Sequence, residues 1–274
     1  MSGVKVEQLP VPCLYLGEGP HWQEDLEALL YVDVFNKAVC RYFVNTGRHQ
    51  VLHIDDGGKA KSVTLVVPVE GMKEWYVVSV GNTLCAVHWK VSDPDDHTVV
   101  PKVLQVTTDS HFNDGKCDPQ GRLWAGTMGP QDEKGELLKM NVSSLYRMHS
   151  DLTLKKCVEK VSVSNGLTWS PDKKHFYYID SEAFSVDAFA YDDLTGQISH
   201  MCSPRNRSNH RPGQFAFQEC DLCVLGWPRL QHTLRDLRKD ETDPRRGQGD
   251  TSCRRHFCRD WPWNEGSSSQ RLST

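Results

Sequence analysis

Through the first 200 residues, apolar positions come in short runs separated by polar turns, and no stretch sustains the period of a helix. Leu29-Leu-Tyr-Val-Asp33, Ala38-Val-Cys-Arg-Tyr-Phe-Val44, Gln50-Val-Leu-His-Ile54, Val63-Thr-Leu-Val-Val67, Trp75-Tyr-Val-Val-Ser-Val80 and Leu84-Cys-Ala-Val-His-Trp89 are rich in β-branched and aromatic residues and predict strands. Val4-Lys-Val6 reads as a short opening strand. Gly17-Glu-Gly-Pro-His-Trp22 reads as a polar turn leading into a strand, and Gly135-Glu-Leu-Leu-Lys-Met140 is too short for a helix and reads as loop. The stretch from His111 to Met128 concentrates the polar signal. His111, Asn113 and Asp114 head it, with Asn113-Asp-Gly115 as turn chemistry. Asp118-Pro-Gln-Gly121 is a second turn, and Arg122-Leu-Trp-Ala-Gly126 is a buried strand ending in glycine.

The pattern repeats. Gly19-Pro-His-Trp22 precedes Leu30-Tyr-Val-Asp33, and Gly166-Leu-Thr-Trp169 precedes Tyr177-Tyr-Ile-Asp180. The polar residues heading the units, Glu18, Asn113 and Asn165, are 95 and 52 residues apart. That suits a unit of about 50 residues, with one further unit around Lys61-Ser-Val-Thr-Leu65. Units of this length built from about four strands are the signature of β-propeller blades. Residues heading successive inner strands converge on one mouth of the central channel. Glu18, Asn113, Asp114 and Asn165 would meet there, either as oxygen ligands for a hard divalent cation or as turn residues satisfying backbone groups.

Composition narrows the setting. A formal charge of -4 over 274 residues argues against a nucleic-acid surface. No apolar run approaches the ~18–20 residues of a membrane span. No basic region followed by an apolar core opens the chain, so the ten cysteines are expected as reduced thiols in a cytoplasmic protein, with the nucleus as a further location.

Residues 13–200 resemble the family of senescence marker proteins, regucalcins and gluconolactonases. The resemblance rests on Gly17-Glu-Gly-Pro-His-Trp22, Leu30-Tyr-Val-Asp33, Phe112-Asn-Asp-Gly-Lys116, Gly126-Thr-Met128, Val163-Ser-Asn-Gly-Leu-Thr-Trp169, Phe176-Tyr-Tyr-Ile-Asp-Ser181, Ser185-Val-Asp-Ala-Phe189 and Leu194-Thr-Gly-Gln-Ile-Ser199. It implies an all-β, six-bladed propeller with a divalent cation (Ca²⁺, Zn²⁺, Mn²⁺ or Mg²⁺) in its channel. It also implies hydrolysis of small sugar lactones, or a Ca²⁺-binding regulatory role without catalysis. By that resemblance Glu18 and Asn165 match two of three metal ligands, and Asn113 matches a substrate contact. His111 stands where the family has an arginine, and an ungapped count puts Gln131 at a substrate-contacting glutamate. The third ligand, an Asp that is also the proposed acid/base, is expected near position 215, where this chain reads Pro212-Gly-Gln-Phe215.

After His200 the composition changes, and residues 201–274 read as a divergent, disordered tail of altered exon or reading frame. Its Cys220, Cys223, Cys253, His256 and Cys258 match no common zinc-finger spacing, and its arginine pairs at 245–246 and 254–255 are interleaved with acids. Trp261-Pro-Trp263 is a possible docking motif for which such a tail needs no function. About four blades then fall within residues 1–200, too few to close a ring of six. Weak or absent lactonase activity is expected, or an inactive isoform.

Overall fold

The structure is a computed structural model that describes residues 8–202 apart from 13, 61, 133 and 134. The predicted strand at Val4–Val6, the region near 215 and the cysteine, arginine and tryptophan motifs of the tail lie outside the described residues.

Four sheets, antiparallel but for one strand, carry nearly all the regular structure of the described residues. The first joins β1 (Gly17–Gln23), β2 (Ala28–Asp33), β3 (Ala38–Phe43) and β4 (His49–Ile54). The second joins β5 (Val66–Pro68), β6 (Trp75–Val80), β7 (Thr83–His88) and β9 (Lys102–Thr107). Between β7 and β9 the chain crosses to the neighbouring sheet, where β8 (Asp96–Val99) pairs in parallel with β4. The third sheet is β10 (His111–Cys117), β11 (Leu123–Met128), β12 (Ser143–Met148) and β13 (Leu154–Val161). The fourth is β14 (Ser164–Trp169), β15 (His175–Asp180), β16 (Ser185–Asp192) and β17 (Gln197–Cys202). The first strands are neighbours in space: β5 lies beside β1 and β10, and β10 lies beside β14. This is propeller geometry, with β1, β5, β10 and β14 as the inner strands of blades 1 to 4.

The apolar runs follow from this stacking. Alternate side chains of a strand point to opposite faces, and blades 2 and 3 have a neighbour on each face. Tyr76, Val78 and Val80 of β6 pack with Leu30, Val32, Val39 and Leu52 of blade 1, whereas Val77 packs toward Phe112, Leu123 and Ala125 of blade 3. Trp124 turns the other way, into Trp169, Phe176, Tyr178 and Phe189 of blade 4. On the far face of blade 1, Tyr31, Cys40 and Tyr42 are covered by Val11 and Leu14. Cys40, Cys85, Cys117 and Cys157 are free thiols.

The seam between blades 3 and 4 carries a polar clamp. The Asp118–Gly121 turn forms as predicted, with Gly121 N donating to Asp118 O at 2.9 Å. The buried Asp118 carboxylate accepts from Arg122 Nε (2.6 Å), Trp124 Nε1 (3.1 Å) and, across the seam, Tyr191 Oη (2.9 Å). Arg122 continues across to Asp193 O and Leu194 O at 2.6 and 3.0 Å.

Several sequence expectations change. Gly17–Trp22 is itself strand, and Asn113-Asp-Gly115 is not a turn but the interior of β10. Each of these segments contains a bulge, and turn-type residues suit a bulge as well as a turn. The strand expected at 63–67 begins at Val66, because Thr64 N and Leu65 N donate to the Ser79 side chain instead of to a ladder carbonyl. The boundary after His200 falls inside β17, whose ladder runs on to the Ala188–Cys202 pair. Among the described residues, no helix is long and apolar enough to cross a membrane.

Candidate functional site

Backbone bonds define which residues are equivalent at the mouth of the channel. Val34 N donates to Leu16 O (2.9 Å), Gly81 N to Ser62 O (3.0 Å) and Ser181 N to Val163 O (3.0 Å). In each case the residue after a blade's second strand holds the chain two residues before Glu18, Thr64 or Asn165. A second set runs between blades, from Val63 N to Val34 O (3.1 Å) and from Phe112 N to Gly81 O (2.9 Å). It makes Phe112 the counterpart of Val63, and so Asn113 the counterpart of Thr64. The four head positions are therefore Glu18, Thr64, Asn113 and Asn165. Thr64 heads the unit that the sequence placed around 61–65.

Three of the four heads sit at a bulge. The ladder shifts between Glu18 and His21, between Phe112 and Gly115, and between Asn165 and Leu167. A bulge leaves a residue unpaired and re-aims side chains. Gly19 takes the left-handed backbone this requires in blade 1, at φ 58°.

The heads then divide by what their side chains do. Thr64 Oγ1 donates to Phe112 O at 2.9 Å, and Asn113 Nδ2 donates to Ser164 O at 2.8 Å. Each stitches its own inner strand to the next. Asn165 instead stays within its blade, with Nδ2 donating to Ser181 Oγ at 3.0 Å. Both asparagines thus have their nitrogen committed, leaving Oδ1 as the acceptor end. Glu18 is exposed.

Asp114 adds a carboxyl to this cluster. Its Oδ1 accepts from Gly115 N at 2.8 Å. Burial, and then the negative charge of Glu18, push its pKa up to about 6, against the opposing pull of Lys116. Burial also pulls the Lys116 ammonium below its usual range, which Asp114 partly offsets. Glu18 and Asp114, 96 residues apart in the chain, therefore act on each other through space.

His111 is exposed and pairs with Met128 at the start of the same strand, near Gly81. Gln131 lies three residues beyond β11, exposed, with Nε2 bonded to Gly135 O of its own loop at 3.0 Å. The fold thus puts Asn113 and Asn165 on adjacent inner strands and couples Glu18 to their surroundings, while Gln131 is tied to its loop.

Among the described residues, no three His, Cys, Asp or Glu side chains gather as a metal cage. The donors that fit a cation are mixed: the Glu18 carboxylate, the Asn165 amide oxygen and the Asp114 carboxyl. All are hard oxygen donors, and the mutual repulsion of the two acids is what a divalent cation would relieve.

Sequence reasoning missed the residues behind the heads. Asp33 and Asp180 were visible as the ends of the repeated aromatic strands, but their task was not. Asp33 accepts from Tyr15 N and Leu16 N, both at 3.1 Å, and Asp180 from Ser162 N and Val163 N, both at 3.0 Å.

The family profile described as SMP-30/Gluconolactonase/LRE-like region matches residues 16–207. The regucalcin of Homo sapiens is 40% identical over 204 residues, 74% of this chain and 64% of the regucalcin. The chain thus spans about 64% of the length of the curated relatives it matches. Among solved structures, a luciferin-regenerating enzyme superposes with a TM-score of 0.62 at 29% identity, covering 70% of this chain and 61% of the enzyme. The calcium-binding protein regucalcin from Agrobacterium tumefaciens shares the fold, with a TM-score of 0.56 at 19% identity over 69% of this chain and 58% of its own.

Proposed function

Since the chain belongs to the SMP-30/gluconolactonase/LRE-like family, we propose that its channel mouth is a cation-dependent site for hydrolysing small sugar lactones. The observation that carries the reading is the clustering of oxygen donors at equivalent heads of separate blades. Glu18 and Asn165 are the residues assigned to hold the cation, through a carboxylate oxygen and Oδ1. Bound there, Ca²⁺, Zn²⁺, Mn²⁺ or Mg²⁺ supplies Lewis-acid polarisation of a carbonyl and an acidified water. With one formal charge between those two ligands, Ca²⁺ is expected to be held only moderately.

The chain's own groups do the rest. Asn113 Oδ1 accepts from a sugar hydroxyl and orients the ring. Asp114 takes the proton of the attacking water at Oδ2, since Oδ1 is tied to Gly115 N. Burial, which raises the Asp114 pKa, keeps its carboxylate basic enough for that transfer. Water's oxygen bonds to the carbonyl carbon, the ring C–O bond breaks, and the ring oxygen leaves as the hydroxyl of the open acid, taking the proton that Asp114 received.

A second reading is cation binding without turnover. The absence of a carboxylate in Pro212-Gly-Gln-Phe215 and the replacement of arginine by His111 favour it. Calorimetry with each cation, beside hydrolysis of glucono-1,5-lactone, separates the two. The lactonase reading predicts cation-dependent turnover that Glu18→Ala abolishes together with binding. Binding that Glu18→Ala removes, with no turnover in the unaltered chain, leaves the second reading. Turnover indifferent to chelator and to Glu18→Ala defeats both.

A further inference from the structure

We infer that Asp33 and Asp180 are positioning residues for the cation site, holding Glu18 and Asn165 from behind through the backbone. The inference rests on the reading that those two residues bind a cation.

The supporting pattern is a difference between blades. The second strand ends in Asp33 in blade 1 and Asp180 in blade 4, but in Val80 and Met128 in blades 2 and 3. The register is the same in the two acidic cases: Asp33 faces Gly17 and Asp180 faces Ser164, each one residue before the head. Both carboxylates collect consecutive backbone N–H groups just upstream of the inner strand. Asp33 Oδ1 accepts from Tyr15 N and Leu16 N, both at 3.1 Å, and Asn36 Nδ2 secures its Oδ2 at 2.7 Å. Asp180 Oδ2 and Oδ1 accept from Ser162 N and Val163 N, both at 3.0 Å. Asp180 Oδ1 also accepts from Glu182 N at 3.3 Å, turning the chain so that Ser181 Oγ meets Asn165 Nδ2 at 3.0 Å.

A device serving only the fold would be expected in every blade. In blade 2 the position is Val80, and the neutral Ser79 Oγ beside it holds Thr64 N and Leu65 N, at and after the head rather than before it, at 3.0 and 3.2 Å. In blade 3 Thr127 Oγ1 turns to the outer strand and bonds Ser144 O at 3.2 Å. Those are the two blades whose heads, Thr64 and Asn113, anchor themselves by side-chain bonds to the next strand. Where the head is assigned to a cation, a carboxylate fixes the backbone leading into it. Bonds from an ionised acceptor are stronger than neutral ones, so they restrain the segment more tightly. Groups that orient metal ligands from the layer behind commonly contribute about 10–100-fold in affinity.

The test uses the 274-residue chain and Ca²⁺ or Mn²⁺ in a calorimeter, with thermal unfolding recorded on each variant. Asp180→Asn and Asp33→Asn keep size and one acceptor oxygen but cannot hold two N–H groups ionically. Each is expected to weaken cation binding by about tenfold or more. Asp180→Ala should weaken it further, and Asp180→Glu should recover part of the loss. Asp118→Asn, in the clamp between blades 3 and 4, is the comparison: it should unfold earlier yet bind the cation as the parent does. Hydrogen exchange at Ser162 N and Val163 N should accelerate in Asp180→Asn before global unfolding. Unchanged cation affinity in Asp180→Asn and Asp33→Asn, beside a parent that binds, overturns the positioning role alone. A folded parent that binds no cation overturns the proposed site and the positioning role with it.

Discussion

Replacing Asp118 by Asn probes what holds blades 3 and 4 together. The residue is 1% exposed and its two carboxylate oxygens accept five bonds: Gln120 N and Arg122 N at 3.0 Å each on Oδ1, and Arg122 Nε, Trp124 Nε1 and Tyr191 Oη on Oδ2. An amide of the same shape can satisfy the first pair through its oxygen. Its NH₂ then faces three donors and can accept from none. Breaking one side of a buried ion pair costs about 3–5 kcal/mol. Arg122 retains 20% side-chain exposure, and water partly compensates it, so about 3 kcal/mol is the expected loss. For a domain of this size that is a fall of about 6–12 °C in Tm. The assay is thermal and urea unfolding of Asp118→Asn, Tyr191→Phe and the double variant. Tyr191 Oη reaches Asp118 across the seam, so the pair should show a coupling of about 1 kcal/mol. A midpoint within 2 °C of the parent (about 0.5–1 kcal/mol), or strict additivity with Tyr191→Phe, would refute the clamp.

Two further outcomes follow from the geometry around the heads. A Cβ at Gly126 would overlap the Ser164 side chain, because β11 and β14 meet there; Gly126→Ala should destabilise by about 1–3 kcal/mol in urea unfolding, and Ser164→Gly should recover part of it. Burial and Glu18 raise Asp114 from 3.8 to about 6, so the folded chain keeps a proton that the unfolded chain releases between those values. This group's contribution is therefore greatest below pH ~4 and declines as pH rises toward ~6. In chelator, Asp114→Asn should lose that decline and be the more stable protein above pH ~6; equal pH profiles for parent and variant would contradict the assigned burial.

Much of the architecture was legible because propeller blades write themselves locally. A strand buried on both faces must be apolar along its length, and Trp75–Val80 appears in the fold with the bounds its composition suggests. The repeat of about 50 residues was visible through its glycines, tryptophans and terminal aspartates. The strands of 90–107 and 143–161 were not anticipated: β8 and β9 form across a crossover, and charged residues interrupt the apolar pattern of β13. β13 exposes Lys155, Lys156, Glu159 and Lys160 on a solvated edge, and β8 leaves its own blade to pair with β4. Polar residues inside β1 and β10 resembled turns because a bulge and a turn ask for the same residue types.

For the site, the sequence by itself determined the chemistry available. Glu18, Asn113 and Asn165 are oxygen donors recurring at blade spacing, and their family pattern can be read without coordinates. What the sequence could not decide is which of them is already occupied. Thr64 and Asn113 are equivalent heads that bond to the next inner strand, whereas Asn165 bonds within its blade and Glu18 acts on Asp114 across the channel mouth. Those assignments depend on distances of about 3 Å between residues some 50 positions apart. Composition and period constrain how each strand folds, but only the stacking of separate blades brings one blade's side chain to another's carbonyl. Pairing of the first two strands within a blade gives Asp33 and Asp180 their task. As letters they end two similar strands; in space each carboxylate collects the amides that lead into an inner strand, and with them the direction in which the head residue points.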